Sequence, residues 1–314
     1  MDCLLCRKKI SDVIASELRS GDKRKVFYCK KCELGILGDV TSNEDLKKFY
    51  KINYRKTVSQ KLGSGMSPHE IFLAEIQFQN NRLTFLNKYF GKNKRLLDVG
   101  CSAGMFLWHA RKYVKEAVGI DYDSRSAKFA ARKCRCKTYS TDIEQTTLEE
   151  KSFDIICAFQ TLEHVSDPID FIGRYKKYLK PGGVMAIEVP NLRDSLLYAY
   201  DVPFYEKFYF HNAHLWYFTA ASLEKLMTKS GFVGEAFSYQ SYNFMNHMHW
   251  IFKDAPQPNG LPARLRPVLP VRSSVDPKLK DALNDFIRTT DMEYRRLLAE
   301  LGVAANLFYV GKMD

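Results

Sequence analysis

The sequence predicts an α/β fold, with a doubly wound, mostly parallel sheet and a small cysteine-rich unit at the N-terminus. Between residues 95 and 189, short apolar runs typical of buried strands alternate with helix-like apolar patterns. This alternation predicts parallel strands joined by right-handed helical crossovers. Two glycines four residues apart, Gly100 and Gly104, mark the turn between the first strand and its helix. The predicted strands are 95–100, 117–121, 136–139, 153–159 and 183–189, and the predicted helices are 103–114, 124–134 and 168–179.

The composition is that of a globular protein. The 314 residues are 46% hydrophobic and 27% charged, which suits one large domain and a small one. No apolar run approaches the roughly 20 residues of a membrane span, and the N-terminus lacks a signal-peptide pattern, so we expect a cytoplasmic protein. The formal net charge of +12 favours an acidic partner such as nucleic acid, a nucleotide-linked substrate or an anionic lipid surface. A solvated basic surface is the alternative explanation.

Four cysteines near the N-terminus form two Cys-x2-Cys pairs, Cys3 with Cys6 and Cys29 with Cys32. This spacing predicts a zinc ribbon over residues 1–40, in which a tetrahedral four-cysteine zinc site clamps a hairpin. So small a unit buries too little apolar surface to fold alone, and zinc binding supplies about 10–16 kcal/mol in comparable peptides. Four protein ligands leave no position for water, so we expect a structural zinc. Free thiols and disulfides remain alternatives, although disulfides are disfavoured in a cytosolic chain.

Residues 41–67 are predicted to bridge the zinc ribbon and the larger domain. They begin with a helix N-cap signal at 41–44. A glycine-containing loop at 59–68 either covers a substrate or merely links the domains. Apolar residues then recur at helical spacing, which predicts one amphipathic helix over 68–90.

The turn at Gly100 and Gly104 is a predicted ligand site. Gly100 allows a positive φ and leaves room for a ligand, while Gly104 lets the helix approach the strand. Exposed amides at the helix start favour a carboxylate or phosphate. A dinucleotide site usually has a third glycine, which is missing here. Because Asp98 precedes the glycines and Asp121 ends the next strand, the pattern fits an adenosine without a pyrophosphate.

Four motifs, in this order, resemble those of the class I S-adenosylmethionine-dependent methyltransferases: 97–104, 119–121, 153–156 and 179–183. The resemblance covers roughly residues 68–240. It implies a Rossmann-like sheet of seven strands, a methyltransferase domain over 68–314 and S-adenosyl-L-methionine as cofactor. The cofactor-binding residues that it implies are Asp98, Gly100, Cys101, Ser102, Gly104, Asp121, Tyr122, Asp142, Ile143 and Phe159.

The C-terminal third is predicted to complete the sheet around an insertion. A helix over 220–230 and a strand near 232–239 continue the fold, and the final antiparallel strand of the family fits 306–311. Between these strands, the insertion at about 245–304 contains a proline-rich stretch and a predicted helix over 277–301. Because ligands bind at this end of the sheet, we expect the insertion to form a substrate lid or a dimer surface.

Three histidines are candidates for the base that deprotonates a hydroxyl acceptor. His164 follows the fourth strand, where the family brings the substrate towards the methyl group. His211 and His214 lie in an aromatic-rich stretch that resembles sugar-modifying methyltransferases with an N-terminal four-cysteine zinc domain. Those proteins have Tyr-His-Glu-His there, and this chain lacks the tyrosine and the glutamate. Simple aromatic packing over the sheet, with His214 capping a helix, is the alternative.

These features predict a methyltransferase that acts on a sugar, nucleotide-sugar or similar polyhydroxylated small molecule, such as a glycan precursor. The methyl group would pass in line to an oxygen atom. An RNA or protein methyltransferase that docks its target on the basic zinc ribbon is the alternative enzyme. A non-catalytic cofactor- or nucleic-acid-binding module is a third interpretation. No carboxylate and histidine cluster shows ligand spacing, so no second metal site is expected.

Overall fold

The computed structural model describes residues 1–38, 66–258 and 260–314. The predicted bridge at 41–67 and the loop at 59–68 lie almost entirely outside the described residues. Within these three ranges, no helix combines the length and the apolar character needed to cross a bilayer.

The described parts of the chain alternate strands and helices much as the sequence predicts. The strands are β1 (Val13–Ala15), β2 (Val26–Cys29), β3 (Leu34–Leu37), β4 (Gly91–Val99), β5 (Val114–Ile120), β6 (Lys137–Tyr139), β7 (Phe153–Phe159), β8 (Leu179–Pro190), β9 (Trp216–Tyr217), β10 (Phe232–Tyr239) and β11 (Asn306–Met313). The α-helices are α1 (Pro68–Glu75), α2 (Asn80–Leu86), α3 (Met105–Ala110), α4 (Ser124–Cys134), α5 (Pro168–Lys176), α6 (Ser195–Tyr198), α7 (Pro203–Tyr209), α8 (Ala220–Lys229), α9 (Phe244–Lys253) and α10 (Pro277–Glu300).

The larger sheet confirms the predicted fold class. Its seven strands run in the order β10-β11-β8-β7-β4-β5-β6. The neighbours from β8 to β6 are parallel, and β11 is antiparallel to both β8 and β10. Leu97 of β4 pairs with Val118 on one side and Ile156 on the other, so the chain reverses its direction of growth at β4. Such a switch point opens a crevice at the carboxyl ends of the strands, where α/β sheets bind ligands.

The predicted continuous helix over 68–90 is wrong. The structure breaks it into α1 and α2, because Gln79 between them is buried and its side-chain amide donates to the Glu75 carbonyl at 3.0 Å. His109 also contacts the Ile76 carbonyl at 3.0 Å and so competes for a helical acceptor. The break has a consequence for the site, since Arg82 of α2 reaches across to β8.

A second, smaller sheet joins the N-terminal unit to the larger domain. Its strand order is β1-β2-β3-β9, and all three pairings are antiparallel. β9 comes from the middle of the larger domain, and its Tyr217 pairs with Gly35 of β3. A side chain at Gly35 would lie 2.9 Å from the Tyr217 Cβ, so the two strands approach closely. The N-terminal unit is therefore continuous with the segment that carries the candidate histidines.

The insertion contains α9 and α10, and it packs at the carboxyl edge of the sheet. Asp291 of α10 accepts a hydrogen bond from the amide of Phe244 at 2.6 Å, which fixes α10 to the start of α9. The Ser238 hydroxyl of β10 donates to the Ala299 carbonyl at 3.1 Å. These bonds hold the insertion over the end of the sheet where the sequence predicts ligand binding.

Candidate active site

The turn after β4 is shaped as a cradle with little room for side chains. Gly100 and Gly104 have φ angles of +77° and +84°, and Ser102 between them has φ of +49°. The amides of Gly100 and Cys101 donate to the Ile120 carbonyl at 2.8 and 3.0 Å, which ties the turn to the end of β5. A turn with several left-handed residues, two of them glycines, lets backbone amide groups approach a ligand closely.

Both glycines are also required by what surrounds them. A Cβ on Gly104 would lie 2.8 Å from the Cβ of Ala130 and from the Sγ of Cys134. A Cβ on Gly100 would collide with the side chain of Thr161. The strand-to-helix turn therefore has the tight packing that the two glycines predict.

Asp121 is fixed at the carboxyl end of β5. Its Oδ2 accepts from the Ser102 amide at 2.7 Å, and its Oδ1 accepts from the Asp123 amide at 2.8 Å. A carboxylate oxygen can accept more than one hydrogen bond, so these bonds orient the carboxylate without excluding a hydroxyl donor. This arrangement suits the vicinal hydroxyls of a ribose.

Tyr122 and Asp142 lie side by side beyond the neighbouring ends of β5 and β6. The Tyr122 hydroxyl donates to Oδ1 of Asp142, which also accepts from Arg174 Nη2 at 3.3 Å. Burial and the Asp142 carboxylate raise the pKa of Tyr122. Ile143, which is fully buried, begins the short 3-10 turn that follows Asp142. The structure thus places these predicted residues next to Asp121 in the fold.

A buried ionic network lies beneath the cradle. Arg82 pairs with Glu188 of β8 through two contacts, Nε to Oε2 at 2.8 Å and Nη2 to Oε1 at 2.5 Å. Burial opposes ionisation of Glu188, yet Arg82 outweighs it and holds the pKa of Glu188 below its ordinary value. Asp98, at 3% exposed, has no such ion pair with any residue that the structure describes, and burial raises its pKa to about 7. Phe159 lies against Arg82, whose guanidinium is 4.7 Å from the ring centroid.

The three predicted histidines meet in one cluster. The ring centroids of His211 and His214 are 3.7 Å apart, and those of His164 and His214 are 4.9 Å apart. Nδ1 of His164 lies 2.7 Å from the Ala213 carbonyl, and since a carbonyl only accepts, this nitrogen carries the ring proton. Burial lowers the pKa of His164 to about 4 and, with the neighbouring His211, lowers that of His214 well below its ordinary value. Both rings are neutral at pH 7.

Glu163 is the functional candidate that the sequence analysis missed. Its side chain is fully buried, and among the described residues neither carboxyl oxygen has a hydrogen-bond partner. Oε1 lies 3.6 Å from His164 Nε2 and 3.9 Å from His214 Nε2. Burial raises the pKa of Glu163 to about 8. The sequence signal that could have identified this residue is a glutamate next to His164 in an otherwise apolar segment.

This group bears on the expectation of no second metal site, which was based on the lack of a carboxylate and histidine cluster with ligand spacing in the sequence. Glu163, His164 and His214 each offer an atom that could bind a metal ion, and these atoms lie within 4.8 Å of one another. His214 is distant from the other two in sequence, so spacing along the chain could not indicate the group.

The four N-terminal cysteines converge as the sequence predicts. Cys3, Cys6, Cys29 and Cys32 bring their sulfur atoms within 4.8 Å of one another. The Cys6 and Cys29 sulfurs are 3.7 Å apart, and none of the eight cysteines, all of which lie in described ranges, forms a disulfide. Lys225 Nζ lies 3.2 Å from the Cys32 sulfur, where its charge favours a thiolate. The donor set fits a tetrahedral zinc ion.

The N-terminal unit holds the segment that carries His211 and His214. The Arg19 amide donates to the Phe210 carbonyl at 2.7 Å. The Ser20 hydroxyl donates to Oδ1 of Asn212 at 2.6 Å, and Asn212 Nδ2 donates to Asp22 at 3.1 Å. Together with the pairing of β3 and β9, these bonds make the cysteine-rich unit a support for the histidine cluster.

A cavity of about 480 Å³ opens at the carboxyl ends of β7 and β8 and the start of β11. Its volume is in the range of small-molecule sites. Gln160, which directly follows β7, lines the cavity and donates to both Glu188 and Asn306 at 3.1 Å. The other lining residues are Glu75, Gln77, Phe78, Asn80, Asn81, Arg82, Tyr239, Ser241, Tyr242, Arg264, Leu265, Arg266 and Arg295.

Known proteins resemble this chain over its central part. Residues 74–236, just over half of the chain, match the family described as a methyltransferase domain. A ubiquinone biosynthesis O-methyltransferase from Bradyrhizobium sp. is 35% identical over 101 residues, covering 31% of this chain and 40% of that protein. A probable S-adenosylmethionine-dependent methyltransferase from Mycolicibacterium smegmatis is 29% identical over 138 residues, covering 44% of this chain and 51% of that protein. The chain thus spans about two fifths of the first relative and half of the second.

Among solved structures, a SAM-dependent methyltransferase from Archaeoglobus fulgidus superposes with a TM-score of 0.48 at 18% identity. The superposition covers 77% of this chain and 99% of that one.

Proposed function

The chain belongs to the methyltransferase-domain family, and from this premise we propose that it uses S-adenosyl-L-methionine to methylate a hydroxyl oxygen of a small, polyhydroxylated acceptor. The observation that carries the proposal is the polar cavity at the carboxyl ends of β7 and β8. The relative from Bradyrhizobium is named an O-methyltransferase, which supports oxygen as the methylated atom.

The residues of the cradle fit the cofactor. Gly100 and Gly104 provide the close backbone approach, and Asp121 provides the carboxylate for the ribose hydroxyls. Asp98 offers a buried carboxylate for the positively charged methionine end. When bound, the cofactor supplies an electrophilic methyl group on a sulfonium. The protein's own contribution is to orient the acceptor and to take its proton.

His214 is the proposed base. Its Nε2 lies 3.9 Å from Glu163, and Nδ1 is the nitrogen that we propose takes the hydroxyl proton. The ring is neutral at pH 7 because burial lowers its pKa, and a neutral ring is the form that accepts a proton. The Glu163 carboxyl group, whose pKa of about 8 keeps it mostly protonated at pH 7, lies 3.9 Å away and offers its carbonyl oxygen to the imidazolium that results. Glu163 therefore acts as a positioning residue, and His164, fixed by the Ala213 carbonyl, lies against the same pair.

The lining of the cavity favours a polyhydroxylated acceptor such as a sugar or nucleotide-sugar. Amide, guanidinium, carboxylate and hydroxyl groups predominate there, and Phe78 and Leu265 are the lining residues with purely apolar side chains. Each buried polar group needs a hydrogen-bond partner when water is displaced, and a polyol supplies many. A largely apolar acceptor would leave these groups unpaired.

The proposed role of the four cysteines is structural. A zinc ion bound by Cys3, Cys6, Cys29 and Cys32 would have a complete tetrahedral shell with no position for water. Its contribution is the stability of the small sheet, which in turn supports the segment of His211 and His214. The ion takes no part in the chemistry.

Replacing Asp121 with alanine is expected to weaken S-adenosylmethionine binding at least tenfold. The variant loses the charged acceptor for the ribose hydroxyls, and hydrogen bonds to charged groups contribute about 1.5–3 kcal/mol each. Isothermal titration calorimetry measures the dissociation constant. Asp170→Ala, which removes an exposed carboxylate from α5, is the matched control and should bind as the wild type does. Equal affinity in the Asp121 variant would remove this carboxylate from the cofactor site.

Cofactor affinity is expected to fall as the pH is lowered from 8 to 6. The pKa of Asp98 is raised to about 7 by burial, so the carboxylate gains a proton over this range and no longer attracts a cationic ligand. The loss approaches tenfold per pH unit below the pKa. In Asp98→Asn, the affinity should be weak and should keep only the pH dependence of the cofactor's own amino group. A wild-type titration with the same pH profile as that variant would contradict the assignment.

A further inference from the structure

The cavity carries more positive charge than methyl transfer to a neutral polyol requires. Among the described residues, four arginines and two glutamates line it: Arg82, Arg264, Arg266 and Arg295 against Glu75 and Glu188. Arg82 and Glu188 neutralise each other in a buried pair, in which Glu188 is 2% exposed. The charge of Arg295 is balanced by Asp291 of the same helix, whose Oδ2 lies 2.9 Å from Arg295 Nε. The positive charge that remains therefore lies at the wall formed by the insertion.

Arg266 is the source of that charge. Its side chain is exposed at the cavity, and no ion pair to it occurs within the described ranges of the chain. Its neighbour Arg264 pairs with Glu75 through Nη1, at 2.9 and 2.6 Å from the two carboxylate oxygens. Both side chains of that pair are partly open to solvent, at 25% and 34% exposed. A solvent-accessible pair of this kind is weak enough to exchange its carboxylate for another oxyanion.

Arg264 is also held in a fixed orientation. Its guanidinium lies 4.0 Å from the centroid of the Phe78 ring. Stacking on an aromatic ring fixes the guanidinium plane, and a planar fork is suited to bind a carboxylate or phosphate through two hydrogen bonds. The neutral amides of Asn80, Asn81 and Asn306 lie in the same cavity. These amides can donate hydrogen bonds to hydroxyl groups and accept hydrogen bonds from them.

We propose that this cavity binds an acidic acceptor, a polyhydroxylated molecule whose oxyanion group is held by Arg264 and Arg266. The shared chemistry is an oxyanion on a hydroxylated framework, supplied either by a phosphate ester or by a carboxylate. The inference rests on the proposed function, because it places the acceptor of the methyl group in this cavity. It gives the insertion a specific role: the insertion supplies the charge that selects the acceptor.

The test measures binding of glucose 6-phosphate, glucuronate and glucose to the full-length, zinc-loaded protein saturated with S-adenosylhomocysteine. By calorimetry, at least one acidic probe should bind about tenfold more tightly than glucose, and added salt should weaken it. The phosphate and carboxylate probes distinguish the two sources of the oxyanion. Arg266→Ala should lose about tenfold in affinity for the acidic probe. Arg272→Ala removes an exposed arginine of the same insertion that does not line the cavity, and should leave the affinity unchanged.

Two results would overturn the inference: equal or absent binding of all three probes, or an Arg266 variant that binds the acidic probe as the wild type does. The cofactor's dissociation constant, measured on the same samples, separates this failure from that of the proposed function. Intact cofactor binding without acidic selectivity overturns only the role of the arginines. Absence of cofactor binding instead overturns the proposed function.

Discussion

Removing zinc from the N-terminal cysteines is expected to unfold β1 to β3 and to reduce methyl transfer at least a hundredfold, while the cofactor still binds. Cys29 ends β2 and Cys32 lies in the turn between β2 and β3, so the cysteine cluster fixes this hairpin. A structural zinc supplies about 10–16 kcal/mol in comparable units. Its loss would release β9 from β3 and Asn212 from Ser20 and Asp22. His214 would then lose its fixed position, and misplacement by about 1 Å can lower a rate a hundredfold.

Cys29→Ser tests this prediction without a chelator. We expect reduced zinc content, loss of β signal by circular dichroism and low turnover, with the dissociation constant for S-adenosylmethionine changed less than threefold. Cofactor affinity should survive the loss of turnover because the cradle after β4 makes its contacts within the larger sheet. Cys136→Ser is the matched control, since Cys136 is a half-buried thiol outside the cluster. Full turnover in a zinc-free protein would show that the small sheet does not support the site.

His214→Ala is expected to lower kcat by 10² to 10⁴ and to leave cofactor affinity intact. General-base catalysis contributes effects of this size. His214 lies with Glu163 and His211, in a segment separate from the cradle around Gly100 and Asp121. The measurement combines calorimetry for the cofactor with initial rates for a methylated acceptor.

His249→Ala is the control for this variant, because His249 is a half-buried histidine of α9 that is not among the clustered rings. A His214 variant with the turnover of the wild type would exclude His214 as the base. In that case His164 and His211 would be tested in the same assay.

The strands and most helices were predictable because they carry a strong local pattern. In β4, for example, residues 96–99 are all buried between two parallel neighbours, and such strands are continuously apolar in sequence. The helix over 68–90 was wrong because local apolar spacing contains no information about Gln79 and His109, whose contacts interrupt it. A tertiary contact decided the local structure there.

The candidate site was predictable only where one segment contains the chemistry. The glycines after β4 and the four cysteines are local motifs, and the structure brings their members together. Glu163 becomes a functional candidate because His214, from a distant part of the chain, packs against it in the fold. The pairing of β3 with β9 likewise joins two segments that no sequence pattern relates.

The central claim is methyl transfer to a hydroxyl oxygen of a small polyhydroxylated acceptor. The most direct measurement incubates the zinc-loaded protein with methyl-labelled S-adenosylmethionine and separate extract fractions of sugars and nucleotide-sugars, RNA, and protein. We expect label in the sugar fraction, on oxygen, with the wild type and much less with His214→Ala. Label found only in RNA or protein, or no label despite measured cofactor binding, would contradict the claim.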